Sequence, residues 1–338
     1  MAASAPAVPA APGSRSASTA MIWSALVVVY VVWGSTYLAI RIVVEAEIPP
    51  MLGMATRFLV AAVLLAGFLA LRSGGRRLKV TGRELLGSAV VGLLLLAFGN
   101  GAVAIAEQTV PSGLAALLVA AVPLWLMLLR VGGGERPRVL TWIGVLIGFA
   151  GAALLSVSGG DTTAKPLSVA ILVLGTISWA VGSRFSPRLG LPKDPLVATT
   201  YEMAIGGTAM VGIGALRGEP GRVHLDAIDT DGWLALGYLV VFGSLLAYTA
   251  YSYLLANAPI SLIGTYAYVN PAVAVLLGWL ILSEHVTTTI LIGGAVVVLG
   301  VALVVTAERR PAVASSSPAS GESAGAPPAF PRTRARGK

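Results

Sequence analysis

Apolar residues in this chain run in unbroken blocks of about 20, the length at which an α-helix crosses a hydrocarbon core of about 30 Å, and that pattern excludes most soluble folds. A soluble core would instead break its apolar residues into amphipathic periods, with a polar face on every helix. The blocks fall at 21–41, 51–71, 85–106, 110–129, 139–157, 166–184, 196–216, 233–255, 260–282 and 286–305. In lipid a chain must satisfy its backbone N–H and C=O groups internally, by helices or by a closed barrel, and blocks of this length suit helices. The expectation is an all-α integral membrane protein of ten transmembrane helices, with short connections that make consecutive helices antiparallel neighbours. Only 11% of the residues are charged, against about 25% in an ordinary soluble domain.

Orientation follows from where Lys and Arg fall between the blocks. One side receives Arg72, Arg76, Arg77, Lys79 and Arg83, then Arg130, Arg136 and Arg138, then Arg184, Arg188 and Lys193, and finally Arg309 and Arg310. The other side holds only Arg41, Lys165, Arg217 and Arg222, set among several acids. The asymmetry predicts that both termini are cytoplasmic, and the expected location is the plasma (inner) membrane. Residues 1–20 read as a disordered leader and 306–338 as a disordered basic tail. The net charge of +8 lies in loops and tail, so it marks a lipid-bilayer partner and no nucleic acid. With no cysteine and only His224 and His285, both in connections, the sequence calls for no metal and no cofactor.

The chain also repeats itself. Pro50 to Arg57 and the run GFLALR (67–72) return as Pro195 to Glu202 and GIGALR (212–217). Pro111 and Pro123 return as Pro259 and Pro271, and Glu135, Gly144 and Gly151 as Glu284, Gly293 and Gly300. Two five-helix halves are therefore expected, at 21–157 and 166–305. An odd number of crossings per half inserts the second upside down, an arrangement that secondary transporters use to exchange two open states around a shared site. Several stretches are also similar to a known family: WGSTYLAIR (33–41), RFLVAA (57–62), FGNGAVAIAEQTVPSGLAALLVAAVP (98–123) and SYLLANAPISLIGTYAYVNPAVAVLLGWLILSE (252–284). They resemble EamA-type permeases of the drug/metabolite transporter superfamily over about 21–305. The resemblance implies ten helices around a central cavity and export of small metabolites, with amino acids and toxic organic compounds as typical substrates.

Polar groups inside the spans mark the candidate cavity. Placing an ionisable group there costs about 2.5–3.5 kcal/mol, and Arg57 and Glu202 are the two deep ones. At about 1.5 Å per residue each lies about 10 Å from its own surface, close enough to the midplane to meet if their helices face each other. Arg57 reads either as an anchor for an anionic group or as a structural residue, and Glu202 either as a proton site or as a structural partner. Trp33, Thr36 and Tyr37 share one face of the first helix; Asn100, Ala104, Glu107 and Gln108 share one face of the third. By the repeat, Tyr248 corresponds to Asn100 and Trp179 to Trp33, while Tyr251 shares a face with Tyr248. Tyr266 and Asn270 lie one turn apart, just before Pro271. Pro123 and Pro271 read as hinges or helix breaks, since a proline leaves a carbonyl without its helical donor, or as bends for packing. The glycine-rich faces of 144–151 and 293–300 suit close helix packing or a homodimer. Glu135 and Glu284 read as helix caps.

Other functions fit less well. There is no phosphate-binding loop, and no clustered nucleophile, base or metal set for an intramembrane enzyme. A channel or a non-transporting scaffold remains the rival to a carrier of small molecules. Because the chain lacks cysteine, single substitutions report its orientation cleanly. A membrane-impermeant maleimide is expected to label Asp226→Cys in intact cells and Lys79→Cys only after permeabilisation; the opposite pattern would overturn the orientation.

Overall fold

Prolines set where several helices begin. Pro50, Pro166 and Pro195 occupy first-turn positions and Pro111 an N-cap, places where the absent N–H has no helical partner to lose and a fixed φ favours the first turn. The computed structural model describes residues 18–134, 136–157 and 165–308, and among these there are helices and turns but no strand. Among the described residues eight helices are long and apolar enough to cross a membrane: α1 (Thr19–Glu45), α2 (Pro50–Ser73), α3 (Gly82–Ala106), α4 (Ser112–Gly132), α6 (Pro166–Arg188), α7 (Pro195–Leu216), α8 (Thr230–Asn257) and α10 (Thr288–Ala307). Two more, α5 (Val139–Val157) and α9 (Tyr266–Leu282), carry shorter apolar stretches where the fifth and ninth blocks were expected. Helix α1 starts two residues inside the expected leader. Residues 1–17, Glu135 and the tail beyond Glu308 lie outside the described residues.

Side chains close the helix ends. Thr81 and Glu84 form a reciprocal capping box at α3. Asp194 accepts from Leu196 N (3.1 Å) and Asp229 from Gly232 N (2.8 Å). Two caps arrive from distant sequence. The Glu219 carboxylate accepts from Met51 N and Leu52 N, both at 3.0 Å, at the start of α2. Glu284 accepts from Ser112 N (2.7 Å) and Gly113 N (3.2 Å), so it caps α4 across the bundle rather than its own helix.

Three stretches leave the regular α-helical pattern and wind as π-helix: Val29–Trp33 in α1, Gly92–Asn100 in α3 and Leu239–Tyr248 in α8. The last two occupy equivalent places in the sequence repeat. Helix α4 breaks at Ala120 and Ala121, ahead of Pro123. The expected break at Pro271 is not there: α9 continues through that proline, and the interruption lies upstream, between the one-turn helix Ile260–Ile263 and Tyr266.

Helices that the repeat relates pack on one another, α2 on α7 and α5 on α10. Small residues permit the second contact. A Cβ at Gly144 would come within 2.8 Å of Gly300 O, and one at Gly151 within 2.7 Å of Val297 N. Gly144→Leu or Gly151→Leu is expected to cost about 1–3 kcal/mol by overpacking and to lower the unfolding temperature of the purified protein in detergent. Unchanged stability in both would contradict the close backbone approach.

Candidate functional site: a central cavity

The cavity forms where α1, α3, α4, α6 and α9 meet. Its walls include Trp33, Thr36, Tyr37, Asn100, Trp179 and Tyr266 of the expected set, together with Ile40, Gly99, Val103, Val119, Val122, Gly175 and Thr176, and none of these is charged. Its volume is about 60 Å³, enough for a few waters and far below the several hundred Å³ of ordinary ligand pockets. Aromatic rings close one end. Trp33 meets Trp179 edge-on at 5.4 Å between centroids, Tyr266 edge-on at 5.8 Å, and Tyr251 at 4.7 Å.

Hydrogen bonds fix these rings. Trp179 Nε1 donates to Tyr251 Oη (3.1 Å), which also bonds Ser183 Oγ (2.9 Å). Trp33 Nε1 reaches Gly243 O (3.4 Å), Asn100 Nδ2 reaches Leu95 O (3.4 Å) and Ser178 Oγ donates to Leu94 O (2.8 Å). All three acceptors are carbonyls inside π-helical stretches. Widened turns at bilayer depth thus meet polar side chains, as irregular backbone in a membrane requires. Trp33, Asn100 and Tyr248 are each the last residue of such a stretch. The Asn270 amide, with its nitrogen turned inward, donates to the carbonyls of Tyr30 (3.0 Å) and Tyr266 (3.2 Å). Tyr30 and Thr265 join their hydroxyls beside it.

The remaining expected residues lie elsewhere. Arg57 is 2% exposed and outside the cavity lining. Its Nε donates to Ser244 Oγ (2.8 Å), its Cζ sits 4.7 Å from the Phe58 ring centroid, and Gly243 makes room for it, since a Cβ there would lie 2.7 Å from Nη2. Glu202, also 2% exposed, accepts from Tyr248 Oη (2.8 Å), with Ser252 as a second partner. Among the described residues no ion pair joins Arg57 to Glu202; each finds neutral hydroxyls on α8 instead. Gln108 stands exposed in the turn after α3. Tyr251 and Asn270 support the walls from behind.

Sequence reasoning missed Thr176, whose Oγ1 accepts from Trp125 Nε1 (3.0 Å) and lies one turn before Trp179. That spacing was a usable signal. It also missed Glu219 as the cap of α2, for which the sequence carries no local sign.

A helical bundle with several apolar spans and an interior cavity lined by aromatic and neutral polar groups is a multi-pass membrane protein. The model of the EamA-like transporter family matches residues 19–157 and again 166–306, and the chain belongs to that family. It is 44% identical over 259 residues to the inner membrane transporter YedA of Escherichia coli, covering 76% of this chain and 81% of YedA. A chloroplastic WAT1-related protein of Arabidopsis thaliana is 26% identical over 86% of this chain and 71% of its own. One solved crystal structure aligns with a TM-score of 0.61 at 21% identity, over 88% of this chain and all of that one, a likeness of fold.

Tyr248→Phe is expected to destabilise the protein by about 1–3 kcal/mol, because it strips a buried carboxylate of a donor. Denaturant unfolding in detergent measures this; a loss below the experimental error would contradict the buried Glu202–Tyr248 pair.

Proposed function

We propose that the chain is a ten-helix secondary transporter, built from inverted halves at 21–157 and 166–305, that exports amino acids or amphipathic drug-like compounds by alternating access. The single observation that carries this reading is the cavity itself. Its wall takes residues from both halves, Trp33 and Asn100 from the first and Trp179 and Tyr266 from the second, and it is too small for such a substrate. A binding site shared by two halves and with room for only about 60 Å³ can take such a substrate only if its walls part. In this reading the leader 1–20 and the tail 306–338 lie in the cytoplasm of the cell whose inner membrane holds the protein.

The lining favours a substrate class. Trp33, Trp179 and Tyr266 offer ring faces that attract an ammonium group by about 0.5–2 kcal/mol, while Asn100, Thr36 and Thr176 offer neutral hydrogen bonds. No lining side chain supplies a full charge, so a zwitterion or an organic cation suits the site better than a polyanion. The break in α4 and the π-helical stretch Gly92–Asn100 lie against the cavity, where a change of winding would widen it.

Counterflow of a labelled amino-acid panel in proteoliposomes of the purified chain tests the reading. Saturable exchange is expected for at least one amino acid, with the half-saturation concentration raised about tenfold in Trp33→Ala, equivalent to about 1.4 kcal/mol. No saturable exchange with any amino acid would sink that substrate class. Linear, non-saturating flux would instead identify a channel.

A further inference from the structure

A buried carboxyl outside the cavity lining has no partner. Glu107 follows the last turn of α3, just beyond the span, is 0% exposed, and neither of its oxygens finds a hydrogen bond. Three acids and one guanidinium meet at this end of the bundle. Arg41 of α1 gives its Nε to Glu45 Oε1 (2.6 Å) and its Nη1 to the backbone carbonyl of Glu107, leaving the Glu107 carboxyl aside. Glu284 spends both oxygens on the N-terminal N–H groups of α4. Ser112 Oγ, in that same first turn, is buried and without a partner too.

The surroundings decide the charge of Glu107. Burial first, then the Glu284 carboxylate, holds its carboxyl well above the usual range; Arg41 pulls the other way and Glu45 adds to the rise. The other packed elements offer little. Arg57 of α2 is turned to Ser244, and Tyr266 of α9 lines the cavity. Lys165, at the start of α6, approaches Thr109 through its backbone N at 3.5 Å. An ionised carboxylate buried without a bond or a dedicated cation is far costlier than a neutral one.

We propose that Glu107 is a proton-binding site of the transporter, neutral in the closed form and able to release its proton when this end of the bundle opens. This rests on the transporter reading above. Tyr37, a cavity residue on α1, lies within electrostatic reach of Glu107, so the site borders the substrate space without lying in it. On release, the O–H proton passes to water and the carboxylate remains. That new charge repels Glu284, which holds the first turn of α4, and attracts Arg41 away from the half-exposed Glu45. One contact ties α1 to the end of α3 and the other ties Glu284 to the start of α4, and α1, α3 and α4 all contribute cavity walls, so the protonation state biases how those walls sit. Glu202, by contrast, already has the Tyr248 hydroxyl as a fixed donor.

Infrared titration of the full-length chain in liposomes reads the site without any substrate. Wild type is expected to show a protonated-carboxyl C=O band at neutral pH that Glu107→Gln removes and Glu107→Asp shifts. In Glu284→Gln, which deletes the like charge, the band is expected to titrate at lower pH. A band whose intensity is unchanged in Glu107→Gln, or that wild type lacks at neutral pH, would overturn the proposal. In amino-acid counterflow, Glu107→Gln is expected to keep gradient-free exchange while losing the acceleration that a pH gradient gives wild type. Gradient-driven acceleration surviving in Glu107→Gln would reject the site. Absence of exchange in wild type itself would count against the transporter reading, while the infrared result would stand independently.

Discussion

Hydrocarbon offers no hydrogen-bond partners, and every feature of this chain answers to that. Backbone groups close on themselves in long helices, and at several interruptions of the regular ladder a polar side chain or a carboxylate stands at the gap. Glu219 and Glu284 satisfy helix starts that prolines leave without local caps. Trp33, Asn100 and Ser178 answer carbonyls exposed by π-helical winding. Two of these side chains, Trp33 and Asn100, also line the cavity. Satisfying irregular backbone and building a polar interior are here one structural task.

That link explains where the polar interior collects. A π-helical stretch is a common mark of functional sites within helices, and two of the three here sit at equivalent places in the two halves, with Asn100 and Tyr248 as their last residues. The break in α4 borders the same space. Elsewhere the helices approach closely over glycine, as between α5 and α10, and leave no room for a solute. Regular, glycine-packed helices give the frame; irregular, aromatic-lined ones give the interior.

Much of this was legible in the sequence, and the exceptions have physical causes. Block length marked the helices, because span length is set by the bilayer rather than by tertiary contacts. The i, i+3, i+4 face of Trp33, Thr36 and Tyr37 was read directly, and all three line the cavity. Arg57 and Glu202 were singled out within spans from the sequence alone, and both are buried. Their partners were not legible: a charge in a span must find polar company, but sequence depth does not say which helix supplies it. Here α8 does so with Ser244 and Tyr248. Pro271 misled for a related reason. A proline frees a carbonyl but does not force a break when neighbouring polar groups and packing hold the helix, and Asn270 bonds two carbonyls in that region. Gln108 shared a face with Asn100 on an ideal helix, yet α3 ends first and the side chain turns outward.

The central claim is that the two halves expose one cavity to each side of the membrane in turn. Thr36 lines that cavity and is buried, and the chain has no cysteine to interfere. The direct measurement is the rate at which a membrane-impermeant thiol reagent modifies Thr36→Cys, from outside in right-side-out vesicles and from inside in inverted ones. The account predicts slow modification from both sides. Reaction from neither side, or from one side alone under every condition, would contradict alternating access.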